Sequence, residues 1–154
     1  MRILTEELIR KAIELARPGV QNILDTEGMT WGPKWVYGWA TGPGIPEDEK
    51  ILFSFGQVDP NWKSPDFGLI AYEKMLTVER EKLPTSVIAS TKPWLLEDDE
   101  YLYAGATTRD GISVAVSGAM GRVDEAIAEI VLSLIVMLAL MDADQRIKED
   151  RMQI

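Results

Sequence analysis

The first segment of the chain alternates apolar and polar positions with the period of a helix. In "LTEELIRKAIELA" the apolar residues recur every three or four positions, which predicts an amphipathic helix with Thr5 as its N-cap. Glu6 and Glu7 follow in the first turn, where the helix dipole favours negative charge. The pair Pro18-Gly19 predicts an interruption, beyond which the apolar face continues.

Two later stretches have the two-residue period of strands. In "KWVYGWATG" the side chains of Trp35, Tyr37 and Trp39 fall on one face and small residues on the other. The turn "GPGIPEDE" separates this stretch from "KILFSFGQV", which predicts a second, antiparallel strand. The aromatic face predicts a core or subunit contact, or a wall on which a flat ring can stack.

A helical period returns after Asp66 and lasts until about Pro84. Two strand-like runs follow, "YLYAGATT" and "GISVAVS", and the Asp110-Gly111 pair between them predicts a hairpin. The pattern over residues 123–148 is helical and apolar almost all round, so this long C-terminal helix is covered on more than one side. The sheet would cover one side, and a neighbouring helix or a second subunit the other.

These elements predict a single domain over residues 1–154, large enough for one core. Helices alternate with pairs of strands that are joined by short turns. The sheet is therefore expected to be mainly antiparallel, and the fold class to be α+β.

The composition removes several classes of chemistry. The chain has neither cysteine nor histidine, which excludes disulfides, thiolate nucleophiles, zinc–thiolate sites and Ser-His-Asp catalysis. Only oxygen ligands remain for a metal, and these suit magnesium, calcium or manganese. The formal net charge of −9 disfavours nucleic acid and anionic membranes as partners.

The sequence pattern does not favour a membrane segment. The N-terminal helix is charged, unlike a signal peptide, and the longest apolar run, "IVLSLIVMLALM", is shorter than a helix that spans a bilayer. We therefore expect a cytoplasmic protein with no membrane partner.

Three segments of the chain resemble the GlcG/HbpS-like family, whose domain also forms the C-terminal part of PduO. They are "LTEELIRKAIELA", "FGLIAYEKMLTVEREKLPTS" and, most specifically, "YAGATTRDGISVAVSGAMGRVDEAIAEI". The resemblance implies a profilin-like fold, with an antiparallel sheet of about five strands flanked by helices, and assembly into homo-oligomers. It also implies association with haem, a corrinoid or a related tetrapyrrole, which this chain would hold without histidine.

The glycine-rich turn in "SGAMG" is a candidate ligand-binding site. A strand that enters such a turn and opens a helix can offer backbone N–H groups to an anion, or the turn is purely structural. Asp124 and Glu125 lie in the first turn of the helix and disfavour phosphate by like charge. A neutral or carboxylate ligand at Ser117, Gly118 and Gly121 is the remaining alternative.

Lys74 is a second ligand-binding candidate, because it stands at the position of the family's middle-helix lysine. Most helical lysines are solvated, and that is the expectation here. Otherwise Lys74 contacts a ligand carboxylate, such as a propionate, or pairs with Asp124 or Glu125.

Three further candidates for ligand binding lie on the predicted hairpin. Tyr101 and Tyr103 share one face of its first strand, and Arg109 at its tip could clamp a carboxylate. The weak candidates for a metal site are Glu97 and Glu100, although acidic loops of this kind are usually only solvated.

Three hypotheses about function follow. The preferred one is a homo-oligomeric protein that binds a small organic ligand, of the tetrapyrrole class by resemblance, without transforming it. Its rival is an enzyme in which Asp59, Asp124 or Glu125 acts as acid or base while Lys74 polarises the substrate. That rival requires a carboxylate of raised pKa inside a pocket. The third hypothesis is a structural subunit without a ligand.

Overall fold

The computed structural model describes residues 3–96 and 104–152. The elements in chain order are α1 (Glu6–Asp25), β1 (Trp35–Thr41), β2 (Ile51–Gly56), α2 (Phe67–Glu81), α3 (Thr85–Thr91), β3 (Ala106–Arg109), β4 (Ile112–Ser117) and α4 (Gly121–Met152). Short 3₁₀ turns occur at Glu47–Glu49 and Pro93–Leu95.

The strands form one sheet in the order β2-β1-β4-β3, and each neighbouring pair is antiparallel. The α+β class predicted from the sequence is confirmed. The described residues contain four strands instead of about five. Tyr101 and Tyr103, at the predicted start of the hairpin, lie outside the described residues, and β3 begins at Ala106.

Helices cover the sheet on both faces. On one face α1 and α4 pack against inward residues of the strands, such as Val36, Phe55 and Val116, in a wholly apolar core. On the other face α2 contributes Met75 to a smaller apolar cluster that it forms with sheet residues such as Ala115. Successive side chains of a strand point to opposite faces of the sheet. The alternation predicted for β1 therefore determines which of its residues face α1 and α4 and which face α2.

Helix α1 is capped as predicted, since the Leu8 N–H donates a hydrogen bond of 3.2 Å to Thr5 Oγ1. The predicted interruption at Pro18-Gly19 is not seen, and α1 continues to Asp25 with Pro18 inside it. Val20 and Leu24 beyond the proline are fully buried, and this burial offsets the hydrogen bond that the proline cannot make.

The predicted hairpin turn joins β3 and β4. Arg109 pairs with Ile112, and the two residues between them both have positive φ, 52° at Asp110 and 85° at Gly111. Positive φ at both central positions is what a two-residue turn of type I′ requires. The segment "SVIAS", which has no clear period, lies in the short helix α3.

Helix α4 is longer than predicted at both ends. Its first half is buried in the core, whereas Met137, Leu140 and Met141 in its second half are exposed. By length and composition α4 is apolar enough to cross a membrane, with a mean hydropathy of 2.2 over 18 residues, of which 33% are buried. The apolar part of α4 is therefore longer than the twelve-residue run "IVLSLIVMLALM" on which the sequence argument relied. The cytoplasmic location stays a prediction.

Candidate functional site

A buried ion pair lies where α2, α4 and the end of β4 meet. Lys74 comes from the middle of α2, and Asp124 comes from the first turn of α4. Lys74 Nζ is 3.7 Å from Asp124 Oδ2, and both side chains are 3% exposed. The expectation that Lys74 is solvated is therefore wrong, and the alternative of a pair with Asp124 is what the structure has.

Backbone carbonyls hold the ammonium group of Lys74 in place. Its Nζ donates hydrogen bonds to Ala104 O at 3.1 Å and to Val116 O at 3.2 Å, next to β3 and within β4. Gly105 makes room for it, because a Cβ there would collide with Lys74 Nζ and lie 2.6 Å from Val116 O. A glycine thirty-one positions further along the chain thus allows this lysine to be buried.

Burial shifts both members of the pair towards their uncharged forms. Desolvation raises the pKa of Asp124 to about 7, although Lys74 and the backbone N–H groups of Ala119 and Gly118 act to lower it. Desolvation likewise lowers the pKa of Lys74, against the opposing charges of Asp124 and Glu125. With one proton between them the two groups together carry no net charge, whether that proton lies on the Lys74 nitrogen or on the Asp124 oxygen.

The glycine-rich turn supports Asp124 from its own backbone. The Ala119 N–H donates a hydrogen bond of 2.8 Å to Asp124 Oδ1. Gly118 has φ of 137°, and a Cβ there would lie 2.6 Å from Trp35 O and 3.0 Å from Val36 Cα. The backbone conformation and the close approach of β1 therefore explain why position 118 is a glycine, without a ligand. Ser117, the residue before it, is buried.

A cavity of about 540 Å³ opens above the ion pair. Its polar side is formed by Lys74, Ser117, Gly118, Ala119, Gly121 and Asp124. Its remaining walls are apolar or aromatic and come from Trp31, Pro33, Trp62, Pro65, Phe67 and Ile70. This volume and this mixture of walls are typical of sites for small organic molecules.

Two tryptophans from loops shape the apolar walls. Trp62 stacks on Phe67 with ring centroids 5.6 Å apart, and meets the edge of Trp35 at 5.3 Å. Trp31 donates from Nε1 to Ala119 O at 3.1 Å, although its side chain remains largely exposed. Sequence reasoning missed Trp31 and Trp62, since neither belongs to a periodic segment. The nearby prolines, Pro33, Pro60 and Pro65, indicate only that both tryptophans lie in loops.

The other predicted acid–base residues lie away from the pair. Glu125 accepts hydrogen bonds from Thr85 Oγ1 at 3.0 Å and the Ser86 N–H at 2.9 Å, and so holds the start of α3. Asp59 is exposed in a loop, where it accepts from the Asn61 N–H at 2.9 Å. Neither geometry places a carboxylate in the Lys74–Asp124 cavity.

The remaining candidates do not join this site. Arg109 at the hairpin tip lies 3.8 Å from Glu129, is about half exposed and does not line the cavity. Tyr101, Tyr103, Glu97 and Glu100 lie outside the described residues. Over residues 3–96 and 104–152, no group of three or more carboxylates could hold a metal ion.

The described lining of the cavity lacks the side chains that usually ligate the metal of a tetrapyrrole. Among the described residues that line it there is no tyrosine or methionine, and the chain has no histidine. Its one basic nitrogen, Lys74 Nζ, already donates to two carbonyls and faces Asp124. Aromatic walls can still hold a flat ring by stacking alone.

Comparison with known proteins identifies the fold. No protein-family model matches the sequence, and no curated protein sequence does. HbpS is similar in structure with a TM-score of 0.59 and 20% identity, covering 85% of this chain and 89% of that one. A double mutant of HbpS from Streptomyces reticuli has the same TM-score and identity, covering 85% of this chain and 86% of that one.

A third similar structure is the Klebsiella pneumoniae protein ORFY, described as DUF336. Its TM-score is 0.52 at 13% identity, and the match covers 88% of this chain and 90% of that one. The chain is therefore an α+β protein with the HbpS-like fold. The resemblance to the GlcG/HbpS-like family, stated from sequence segments, is confirmed at the level of the fold.

Proposed function

We propose that this protein binds a small, flat, largely apolar organic molecule in the Lys74–Asp124 cavity and releases it chemically unchanged. The observation that carries the proposal is the cavity itself. Aromatic and aliphatic side chains form its walls, and a buried ion pair without net charge forms its floor. Such a site gains affinity from apolar contact and stacking, and takes its orientation from a few polar atoms.

The charge balance of the floor favours an uncharged ligand. The ammonium group of Lys74 is already opposed by Asp124, so a ligand carboxylate or phosphate would bring an uncompensated negative charge into an apolar site. The same reasoning disfavours a ligand propionate on Lys74. It also agrees with the repulsion of phosphate by Asp124 and Glu125 that the sequence predicts.

The resemblance implies a tetrapyrrole ligand, and the cavity supports only part of that implication. Its walls suit a flat macrocycle, whereas the only charged groups in its described lining that could ligate iron or cobalt are Lys74 and Asp124, which are already paired with each other. Titration of the protein with haem and with cobalamin, followed by absorbance, tests this class. A saturable shift supports it, and no shift with either compound at micromolar protein removes tetrapyrroles from the proposal.

A neutral dye tests the cavity independently of ligand identity. Nile red is flat and uncharged, and its fluorescence rises in apolar surroundings, so we expect saturable binding to the wild-type protein. Ile70→Trp fills the cavity and should abolish the signal. Leu76→Trp, at an exposed position on the same helix, is the matched control and should leave binding intact. Equal binding by both variants would refute the cavity as the site.

Homo-oligomerisation is the second part of the proposal. Met137, Leu140 and Met141 are exposed at helical spacing on the second half of α4, and a second copy of the chain would cover them. Light scattering should give a mass above that of one chain, and Leu140→Glu should lower it. A monomeric wild-type protein would exclude this part and leave ligand binding unaffected.

One observation favours the rival hypothesis of an enzyme. The pKa of Asp124 is raised to about 7, and this carboxyl group lies in a cavity beside Lys74, as general acid–base catalysis requires. Mass spectrometry of a ligand recovered after long incubation separates the two hypotheses. Unchanged ligand supports a binding protein. Conversion by the wild type but not by Asp124→Asn supports an enzyme, and a protein that retains no ligand supports a structural subunit.

A further inference from the structure

Among the tryptophans of the chain, Trp35 has a buried N–H group without an acceptor. The residue is 9% exposed, and its Nε1 makes no hydrogen bond with any atom of residues 3–96 and 104–152. Trp31, Trp39 and Trp62, by contrast, each donate from Nε1 to a backbone carbonyl oxygen, at 3.1, 2.9 and 2.9 Å. A buried donor that has lost its hydrogen bond to water destabilises a fold, so it needs an explanation other than stability.

The side chain of Trp35 lies on the face of the sheet that carries the cavity. Trp35 and Tyr37 are two positions apart on β1 and point to the same face, and Tyr37 lies opposite Ser117 of β4. Side chains of directly opposed residues share a face, so Trp35 is on the side of Ser117, which lines the cavity. The backbones are also close, because a Cβ at Gly118 would lie 2.6 Å from Trp35 O.

The ring of Trp62 lies between Trp35 and the cavity. Trp62 lines the cavity, and its ring centroid is 5.3 Å from that of Trp35, with an angle of 86° between the two ring planes. In this arrangement the edge of one ring meets the face of the other, and a ring face is a weaker acceptor for an N–H group than an oxygen or nitrogen atom. A ligand in the cavity therefore reaches Trp35 Nε1 only when the Trp62 ring moves.

The loop of residues 57–65, which carries Trp62, is hydrogen-bonded only to itself within the described parts of the chain. Trp62 donates twice, from its backbone N–H to Asp59 O at 3.1 Å and from Nε1 to Pro65 O at 2.9 Å. The remaining hydrogen bond of the loop joins the Asn61 N–H to Asp59 Oδ1. The Trp62 ring is 37% exposed, and no hydrogen bond ties it to another element. Segments held in this way open at low cost, as binding loops commonly do.

We propose that Trp35 Nε1 is the donor that selects the ligand of this cavity. The Trp62 ring moves aside as the ligand enters, and the indole N–H then donates a hydrogen bond to a ring nitrogen or a carbonyl oxygen of a flat, uncharged ring compound. The inference rests on the proposed function, since it names a chemical feature of the ligand of the same cavity. An indole N–H can only donate, so the ligand atom must be an acceptor.

Two pairs of ring compounds test the assignment, because the members of each pair differ little in shape. Quinoline has a ring nitrogen where naphthalene has a C–H group, and 9-fluorenone has a carbonyl group where fluorene has a methylene group. Displacement of Nile red at pH 8, where all four compounds are uncharged, gives the affinity of each. An acceptor also costs free energy when it leaves water, so the quantity compared between variants is the affinity ratio within each pair.

Variants locate the preference at the indole N–H. Trp35→Phe removes the donor and keeps an aromatic ring, so the ratio of acceptor to hydrocarbon affinity should fall about three- to tenfold, the value of one hydrogen bond. Trp39→Phe is the matched control, because Trp39 lies on the same face of β1, does not line the cavity and already donates to Gly68 O. It should keep the wild-type ratio, and circular dichroism checks that both variants fold.

A measurement on the wild-type protein makes the test independent of the folding of the variants. A hydrogen bond to an acceptor moves an indole N–H proton to higher frequency in the NMR spectrum. We expect the Trp35 indole proton to lie at higher frequency with quinoline than with naphthalene, or with 9-fluorenone than with fluorene. Because the two members of a pair have nearly the same rings, their ring-current effects on this proton are similar.

The outcomes separate this inference from the function on which it rests. A Trp35-dependent preference in either pair supports the acceptor assignment. If both ratios are unchanged in Trp35→Phe, or if the Trp35 indole proton has the same frequency with both members of each pair, a ligand site exists but the assignment is wrong. If Nile red does not bind, or none of the four compounds displaces it, the proposed function itself falls together with the inference.

Discussion

Two buried lysines, Lys74 on α2 and Lys50 beside it, have different surroundings. The side chain of Lys50 is 1% exposed, and that of Lys74 is 3% exposed. Lys50 forms ion pairs with Glu47 and with Glu79, the latter at 3.3 Å, and its Nζ lies 5.7 Å from the centre of the Tyr72 ring. Lys74 has Asp124 within ion-pair distance, at 3.7 Å, and the charge of Glu125 acts on it from further away.

The pKa values of the two lysines shift in opposite directions. Burial alone would lower the pKa of Lys50, but the hydrogen bond from Lys50 to Glu47 and the charges of Glu79 and Glu47 outweigh it, so that this pKa is raised. At Lys74 burial outweighs Asp124, and the pKa is lowered. Lys50 is the less deeply desolvated of the two lysines and has two carboxylates within ion-pair distance, and both differences favour its charged form.

The difference supports the proposal that Lys74, and not Lys50, belongs to a ligand site. Lys50 has partners enough to remain a stable cation, which is a structural role. Lys74 and Asp124 are under-compensated, both shift towards their uncharged forms, and both line a cavity. Groups in such surroundings are candidates for ligand contact or proton transfer.

The largest expected effect follows from removing one carboxylate at each lysine. Asp124→Ala leaves Lys74 buried without its counter-charge and removes the acceptor of the Ala119 N–H, so the free energy of unfolding should fall by about 3–5 kcal/mol. Glu47→Ala, at a largely exposed partner of Lys50, should cost at most about 1 kcal/mol. Urea unfolding at pH 8 measures both, and equal losses would contradict the difference between the two lysines.

The next effect concerns the turn that positions Asp124. Gly118→Ala forces a side chain onto a backbone of φ 137° and against Trp35 O, so we expect a loss of about 2–3 kcal/mol in the free energy of unfolding. Gly19→Ala is the matched control, because Gly19 lies inside α1 with open space around its Cα. It should stabilise by about 0.5–1 kcal/mol. A tolerated Gly118→Ala would mean that the turn can move.

The raised pKa of Asp124 predicts a dependence of stability on pH. Between pH 3.8 and about 7 the folded protein keeps a proton that the unfolded chain releases. The contribution of Asp124 to the free energy of unfolding therefore falls as pH rises through this window, by at most about 1.4 kcal/mol per unit. Urea unfolding from pH 5 to pH 8 should show this decline in the wild type and not in Asp124→Asn. Parallel curves would contradict the raised pKa.

The smallest effect concerns the aromatic wall. Trp31→Phe removes the hydrogen bond to Ala119 O at an exposed position, so stability should change by less than about 1 kcal/mol. The affinity for Nile red should nevertheless fall a few-fold, because Trp31 contributes to the cavity wall. An unchanged affinity, measured by calorimetry, would show that Trp31 does not contact the ligand.

Much of the fold could be predicted from local patterns. The helical period and N-cap of α1, the alternation in β1 and the Asp110-Gly111 turn each have a physical cause within a few residues. The helix α3 could not be predicted, since seven residues are too few for a clear period. The continuity of α1 through Pro18 depends on packing against the core, which local propensity does not contain.

The site was harder to predict because its key interactions are distant in sequence. Lys74 and Asp124 were both candidates, but the burial of Lys74 depends on Gly105 and on the carbonyl of Val116. A lysine on a helix otherwise has the pattern of a solvated residue. Trp31 and Trp62 lie in loops, so their place in the cavity wall follows from tertiary structure alone.

The most direct test of the proposed site is a two-dimensional amide NMR titration of the wild-type protein with Nile red, the flat, uncharged dye that should enter the cavity. We predict that the largest shifts occur at Gly118, Ala119 and Gly121, whose backbone lines the cavity floor, while Met141 on the exposed half of α4 is unchanged. Shifts confined to the exposed half of α4, or no shifts at all, would contradict the proposal that the Lys74–Asp124 cavity is a ligand site.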